Sequence, residues 1–438
     1  MTDKTISLCP ICLKRIEATY IEKSDTIFLY KNCKEHGDFL TPVWRGYPSL
    51  DKWVKNSSEI ENSNNNCPDM CGLCEYHGNK TCCTILNVTD KCNLKCNFCF
   101  AGELTQREPS YDYIKKCLDD MADKKITHIH FSGGEPTTRN DIPELAKYAV
   151  SKGFKYIQLN TNGLRIARDE SYAKELADAG ISAVFLQFDS TDDDINKTIR
   201  GVPLLAEKIK AIENCDKAYL GVVLVPTLIP GVNTDNIGDI IKFGIDYIPA
   251  VRGIHFQPVT YVGKYPEDPE NSNRITIPEV LRAIEKQTEG MIKAEQFTPS
   301  SCYHPMCSFH AEFVYDNERL MPLLKKQSGS CCSADDVPSN AVRKNQNFLN
   351  QKWTRPGECE CECECECSGD KMSMDGFLSY MKNKSFTISS KAFQDEYNID
   401  LNRLKRCSLH VYDNGKLIPF CAEYTYHKNQ KLFNFLDG

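Results

Sequence analysis

The chain has 438 residues, 24 of them cysteine, with a net charge of −7, 41% hydrophobic and 26% charged residues. A chain of this length can bury a core that needs no disulfide staples, so the cysteines point to metal chemistry. The composition excludes a wholly disordered chain and shows no basic stripe for nucleic acid, and the longest apolar run, about ten residues near Leu220 to Ile229, falls short of the ~20 that span a membrane.

The opening residues Met1-Thr2-Asp3-Lys4-Thr5 are polar, so no secretory signal is expected. Thiols that are not exported stay reduced and free to bind metal, which suits a cytoplasmic protein. Residues 1–54 read as a small metal-binding unit. Cys9-Pro10-Ile11-Cys12 and Cys33-Lys34-Glu35-His36-Gly37 flank an alternating stretch from Thr19 to Tyr30. Two knuckle-like turns around a hairpin resemble a rubredoxin or zinc-ribbon site. Cys9, Cys12 and Cys33 with His36 make a closed set for zinc. A mononuclear iron would want a fourth cysteine from elsewhere, and both metals stay open.

Residues 55–83 read as a polar linker followed by Cys67, Cys71, Cys74 and Cys82 in the spacing C-x3-C-x2-C-x7-C. Four thiolates close an auxiliary [4Fe–4S] cluster or a zinc site, and Cys83 can stand in for Cys82.

From 84 to 294 apolar runs alternate between strand and helix periods. Strands are expected at Ile85 to Thr89, His128 to Ser132, Tyr156 to Asn160, Ala183 to Asp189, Leu220 to Val225 and Ile254 to Val259. Helices are expected at Tyr111 to Asp123, Ile142 to Lys152, Ser171 to Ala179, Leu204 to Glu213, Thr234 to Gly244 and Ile277 to Glu285. The fold class is therefore α/β, a partial parallel (β/α)6 barrel. Sites of such barrels lie at the C-terminal strand ends.

Residues 295–438 read as a separate auxiliary-cluster region, in which Cys302, Cys307, Cys407 and Cys421 make a second closed quartet. An insertion of alternating glutamate and cysteine runs from Glu358 to Cys367. In an extended strand, same-face residues stand about 6.6 Å apart. Thiolates sharing one metal lie within roughly 4 Å, so neighbours in a straight tract cannot chelate together. The tract is an acidic low-complexity insertion or an iron depot. Cys117 and Cys215 fall in helices and read as small hydrophobes, and Cys331 and Cys332 have no clear partner.

The motif that carries chemistry follows the first barrel strand: Cys92-Asn93-Leu94-Lys95-Cys96-Asn97-Phe98-Cys99. Three thiolates on one loop can hold three irons of a [4Fe–4S] cluster and leave the fourth open. Ser132-Gly133-Gly134-Glu135-Pro136 follows the second strand, Asn160-Thr161-Asn162-Gly163 ends the third, and Gln187-Phe188-Asp189-Ser190 ends the fourth. In this order on consecutive strands, the motifs resemble those of radical S-adenosylmethionine enzymes.

The resemblance implies that Cys92, Cys96 and Cys99 hold the catalytic cluster. It implies that Phe98, Gly133, Gly134, Glu135, Asn162, Gln187, Asp189 and Ser190 line the S-adenosylmethionine site. The open iron would bind the methionyl amine and carboxylate. One electron, from a reduced ferredoxin or flavodoxin, would give a 5′-deoxyadenosyl radical that takes hydrogen from an unactivated C–H bond.

The N-terminal unit, the cysteines before the barrel and the ending Pro419-Phe420-Cys421 resemble a narrower group, the archaeal tetraether lipid synthases and related cobalamin-independent radical methylases. That likeness puts C–C coupling of isoprenoid lipid chains first, in an anaerobic cytoplasm and at the membrane surface if the substrate is lipid. The alternative is radical methylation of a small molecule such as a pterin. Peptide modification is a third reading. An iron–sulfur electron carrier is a fourth, and it leaves the Gly-Gly-Glu motif unexplained. His128, His130 and His255 fall on strands, where an inward ring could meet substrate, and Arg200 follows the fourth strand.

Overall fold

The computed structural model describes residues 4–54, 77–102, 106–323, 338–355 and 380–427. Strands β1 (Lys4–Leu8), β2 (Arg15–Lys23), β3 (Thr26–Cys33) and β4 (Gly37–Arg45) form an antiparallel sheet in chain order. Ser24 and Asp25 join β2 to β3 with φ of 45° and 64°. A two-residue turn at positive φ matches the twist of the strands it connects. This ribbon lies against the rest of the chain. Thr5 Oγ1 donates to Asp400 Oδ1 at 2.6 Å, and Arg45 Nη1 donates to the Arg274 carbonyl at 2.6 Å.

All six barrel strands appear, as β5 (Cys83–Thr89), β6 (His128–Gly133), β7 (Tyr156–Thr161), β8 (Ala183–Gln187), β9 (Gly221–Val225) and, after the two-residue β10 (Thr227–Leu228), β11 (Val251–Pro258). Each pairs in parallel with the next, from β5 through β9 to β11. Helices Tyr111–Asp123, Ile142–Ser151, Glu170–Asp178, Leu205–Lys217, Ile237–Asp246 and Ile277–Gln287 lie close to their expected places. A further helix, Asp193–Arg200, follows β8.

Beyond residue 294 come β12 (Ser308–Asp316), β13 (Arg319–Pro322), β14 (Ser385–Lys391), β15 (Leu409–Asp413) and β16 (Lys416–Pro419). β14 pairs in parallel with β11, and β15 pairs in parallel with β5. Residues expected as a region of their own therefore extend the same sheet at both of its ends.

Strand alternation divides the core in two. Leu86, Ile129, Phe131, Ile157, Leu159, Val184, Leu186, Val222, Leu224 and Ile254 pack under the helices. Ile85, Tyr156, Phe185 and Val223, at the opposite parity, face the barrel interior. The helix Pro338–Phe348 and the turn Leu349–Trp353 close the N-terminal end of the barrel. The plug reaches it because Gly221, the first residue of β9, has no side chain, and a Cβ there would stand 2.3 Å from the Trp353 carbonyl. Trp353 packs 4.8 Å from the Phe185 ring and donates Nε1–H to Thr387 Oγ1 at 3.1 Å.

Candidate active site at the barrel mouth

The loop leaving β5 carries Cys92, Cys96 and Cys99, all half-buried. It is pinned from three directions. Asn97 N–H donates to Ile199 O at 3.0 Å, Cys99 pairs with Lys264 through bonds of 2.9 and 2.8 Å, and Asn162 Nδ2 donates to Asn93 Oδ1 at 2.7 Å. Phe98 packs against Ile199, Ile229, Val259 and Tyr261. Burial pushes the Cys92 thiol up to about 11.

Gly133 and Gly134 form the turn after β6. Gly133 sits at φ +131°, and a Cβ on it would stand 2.1 Å from the Thr89 carbonyl. A Cβ on Gly134 would stand 2.3 Å from the Lys91 carbonyl. Only a glycine pair lets this turn lie on the cluster loop, where Gly134 N–H reaches Thr89 O and Glu135 N–H reaches Lys91 O, both at 2.7 Å. The Glu135 carboxylate is buried and already takes four donors. Oε1 accepts from Thr137 N at 3.0 Å, Thr137 Oγ1 at 2.6 Å and Thr161 Oγ1 at 2.6 Å, and Oε2 accepts from Asn162 N at 2.7 Å. In this arrangement it locks the ends of β6 and β7 together.

Asp189 and Ser190 are likewise engaged inside the protein. Burial alone would raise the Asp189 carboxyl, but the charge and hydrogen bonds of Arg200 outweigh it and hold the group below its usual range. Ser190 Oγ donates to Asn236 Oδ1 at 2.7 Å. Gln187 bonds Asp189 and accepts from Lys208 Nζ at 3.4 Å.

Lys208 was not foreseen. It is buried beneath the site, donates to the Asn162 carbonyl at 2.5 Å, and is pushed down by burial to about 8. Its signal was present: Lys208 shares the buried helical stripe with Ala211, Ile212 and Cys215.

The inner faces of the barrel strands end beside this loop. Along the inner parity, Asn87, Asn160, Gln187, Val225, His255 and Gln257 are half-buried, while the residues beneath them are closed. Four carboxamides and an imidazole among six positions make a polar mouth. His128 and His130 lie on the inner parity of β6, and burial keeps the rings of His130 and His255 neutral, pushed down to about 3.

The other cysteines sort by tertiary contact. The Sγ atoms of Cys9, Cys12 and Cys33 and a ring nitrogen of His36 lie within 4.8 Å of one another, which fits one zinc or iron ion. Backbone N–H of Glu35 and the His36 ring stabilise the Cys33 thiolate, holding it down to about 6. Cys307, Cys407 and Cys421 line one cavity together with Lys391, Arg403 and His304. Arg403 Nη2 donates to Cys307 Sγ and Gln394 N–H to Cys421 Sγ, each at 3.2 Å.

Cys302, expected as the fourth member of that set, lines a different place. Its Sγ, with a single hydrogen to give, lies within hydrogen-bond reach of both the Ala341 carbonyl, at 3.0 Å, and the Cys82 sulfur, which also receives the Cys83 thiol at 3.6 Å. Cys67, Cys71, Cys74 and the Glu-Cys tract lie outside the described residues. Cys117 and Cys215 are buried in helices.

Three thiols on one loop fit a cluster with one open iron, and the glycine turn packs directly on the backbone of that loop. Comparison with known proteins agrees. A family model for the radical SAM superfamily matches residues 86–244, and one for the HMPTM N-terminal zinc ribbon domain matches residues 1–45. The 7,8-dihydro-6-hydroxymethylpterin dimethyltransferase of Methanocaldococcus jannaschii is 34% identical over 98% of this chain and 95% of its own. The Fe-coproporphyrin III synthase of Methanosarcina barkeri is 34% identical over 44% of this chain and 47% of its own. Among solved structures, Streptococcus suis SuiB bound to S-adenosylmethionine is 18% identical over 49% of each chain, with a TM-score of 0.40. With three thiols on one loop, the glycine turn and a near full-length relative in place, the chain, which carries an N-terminal zinc ribbon match, belongs to the radical SAM superfamily, as an enzyme in the same family as the M. jannaschii protein.

Proposed function

We propose that the enzyme methylates a carbon of a pterin-type small molecule inside the barrel. The observation that carries this reading is the polar mouth, where Asn87, Asn160, Gln187, His255 and Gln257 stand half-buried on the inner strand faces. Carboxamides and imidazoles match a heterocycle rich in donors and acceptors, and an isoprenoid chain would meet none of the polar atoms the protein leaves unpaired there, such as Asn87 Oδ1. The relative named as a pterin dimethyltransferase, aligned over nearly the whole chain, supports the same substrate class. The lipid coupling placed first on the sequence therefore gives way to its alternative.

When bound, the cluster and S-adenosylmethionine supply one-electron cleavage of the sulfonium and hydrogen abstraction from carbon. Cys92, Cys96 and Cys99 would hold three irons. The Gly133–Gly134 turn would pass close along the methionyl group. Glu135 and Arg200 fix the loops that surround it, and Phe98 anchors the cysteine loop on Ile199, Ile229, Val259 and Tyr261. The electron would come from a ferredoxin or flavodoxin.

Cys307, Cys407 and Cys421 would hold an auxiliary cluster whose sulfur is stabilised by Arg403. The Cys9, Cys12, Cys33 and His36 site would hold zinc. No described helix is long and apolar enough to cross a membrane.

The test is anaerobic incubation of the reconstituted enzyme with reductant, S-adenosylmethionine, 6-hydroxymethyl-7,8-dihydropterin and a separate one-carbon donor such as a methylenated reduced pterin, because the S-adenosylmethionine that yields 5′-deoxyadenosine leaves its own methyl group on methionine. A methylated pterin with stoichiometric 5′-deoxyadenosine is expected. Coupled isoprenoid chains from lipid extract, with pterin untouched, would overturn the reading.

A further inference from the structure

We infer that Asn87 and His130 form a paired acceptor and donor that recognises the lactam edge of a planar nitrogen heterocycle. The inference rests on the small-molecule reading above and names the residues that read the substrate.

β5 and β6 are neighbours in parallel register, with Ile85 opposite His130 and Asn87 opposite Ser132. Asn87 and His130 therefore share the inner face, one step apart along adjacent strands. The His130 tautomer is set by its neighbours. Gln158 Nε2 donates to Asn160 Oδ1 at 2.7 Å, while Gln158 Oε1 accepts from the Tyr156 hydroxyl at 3.4 Å. With its amide held that way, Gln158 Nε2 also donates to His130 Nδ1 at 3.3 Å. A neutral imidazole that accepts at Nδ1 carries its proton on Nε2. That Nε2–H is buried and has no partner.

Asn87 shows the opposite polarity. Its Nδ2 donates to the Tyr424 hydroxyl at 3.3 Å, and its Oδ1 is buried without a partner. An unmet donor and an unmet acceptor on adjacent strands are a costly arrangement for a closed core. They fit a ligand that brings a carbonyl and an N–H side by side. A lactam presents that pair, as in a pterin or a guanine, whereas a hydrocarbon chain presents neither.

Two further features suit a flat ring. The Phe185 ring lies 6.4 Å from His130 and 5.5 Å from His255, an aromatic surface between the two imidazoles. Ser389 Oγ donates to the Ile254 carbonyl at 3.4 Å and so accepts from His255 Nδ1–H at 2.9 Å, which leaves His255 Nε2 as a second acceptor.

The test is equilibrium dialysis of the full, anaerobically reconstituted chain with S-adenosylmethionine present. The probes are 6-hydroxymethyl-7,8-dihydropterin, its N3-methyl analogue, which lacks the lactam N–H, and guanine. Wild type should bind the parent pterin at least about tenfold more tightly than the analogue. His130→Ala and Asn87→Leu should each weaken parent binding by about tenfold, the loss of one net hydrogen bond. Asn87→Leu should also erase the preference over the analogue, and His130→Gln, which keeps an N–H donor, should recover part of the loss.

Equal binding of parent and analogue by wild type would overturn the inference, and that measurement does not depend on any variant folding. Unchanged affinity in variants with wild-type iron content would overturn it too. Guanine bound through the same two residues, with pterin ignored, would support the inference and sink the pterin reading. Binding of no heterocycle would sink both.

Discussion

Arg200 and Asp189 meet as a buried two-bond ion pair, Nε to Oδ2 at 2.7 Å and Nη2 to Oδ1 at 2.9 Å. The third arm of the guanidinium, Nη1, donates to the Phe98 carbonyl at 3.0 Å. One side chain thus ties the segment after β8 to the cluster loop. Breaking one half of a buried pair leaves an uncompensated charge, at a cost of about 3–5 kcal/mol. Arg200→Leu should lower thermal stability sharply and reduce the iron retained after reconstitution. Arg200→Lys cannot reproduce the fork and should recover only part of either. Wild-type melting and iron content in Arg200→Lys would refute the argument.

Replacing Cys92, Cys96 and Cys99 together by alanine should remove the iron and sulfide of one cluster and abolish 5′-deoxyadenosine formation under dithionite. Metal in the Cys9, Cys12, Cys33 and His36 site should stay, because those thiols sit in the separate ribbon sheet. Metal analysis and product chromatography on one preparation check both halves.

Gly134→Ala would place a methyl group 2.3 Å from the Lys91 carbonyl and 2.7 Å from that of Asp90. Neither backbone oxygen can yield without moving the cluster loop. S-adenosylmethionine affinity should fall by about tenfold or more, read by isothermal titration, with the three cysteines still able to take up iron.

His36→Ala should lose the ribbon metal and lower the melting temperature. The ribbon is held to the barrel side by bonds such as Thr5 to Asp400 and Ser7 to Ile399, so loosening its turns loosens that contact. Unaltered metal content would show that His36 is no ligand.

Acid should destabilise the fold through its buried neutral histidines. Burial pushes His130 and His255 down to about 3 from an ordinary 6.5. Between those values the unfolded chain binds protons that the native state refuses, so stability falls as pH drops through that window. The melting temperature should decrease from pH 7 to pH 5, and His255→Phe should flatten the decrease. An identical slope in the variant would show that His255 does not contribute.

What could be read from the chain was set by short-range geometry. The spacing of Cys92, Cys96 and Cys99 places three thiols on one loop wherever that loop ends up. Gly133 and Gly134 mark a motif that follows the second strand, and the alternation of periods from 84 to 294 announces parallel strands under helices. Tertiary structure decided what depends on distant pairing. Cys302 turned to Cys82 rather than to Cys307, because strand register and the helix Pro338–Phe348 place it there. β14 and β15 joined opposite ends of one sheet, although both follow the barrel in the chain. The unmet atoms of Asn87 and His130 appear only when β5 and β6 lie side by side and Gln158 sets the tautomer. Spacing along a chain encodes local reach, while register between strands follows from burial summed over the whole core.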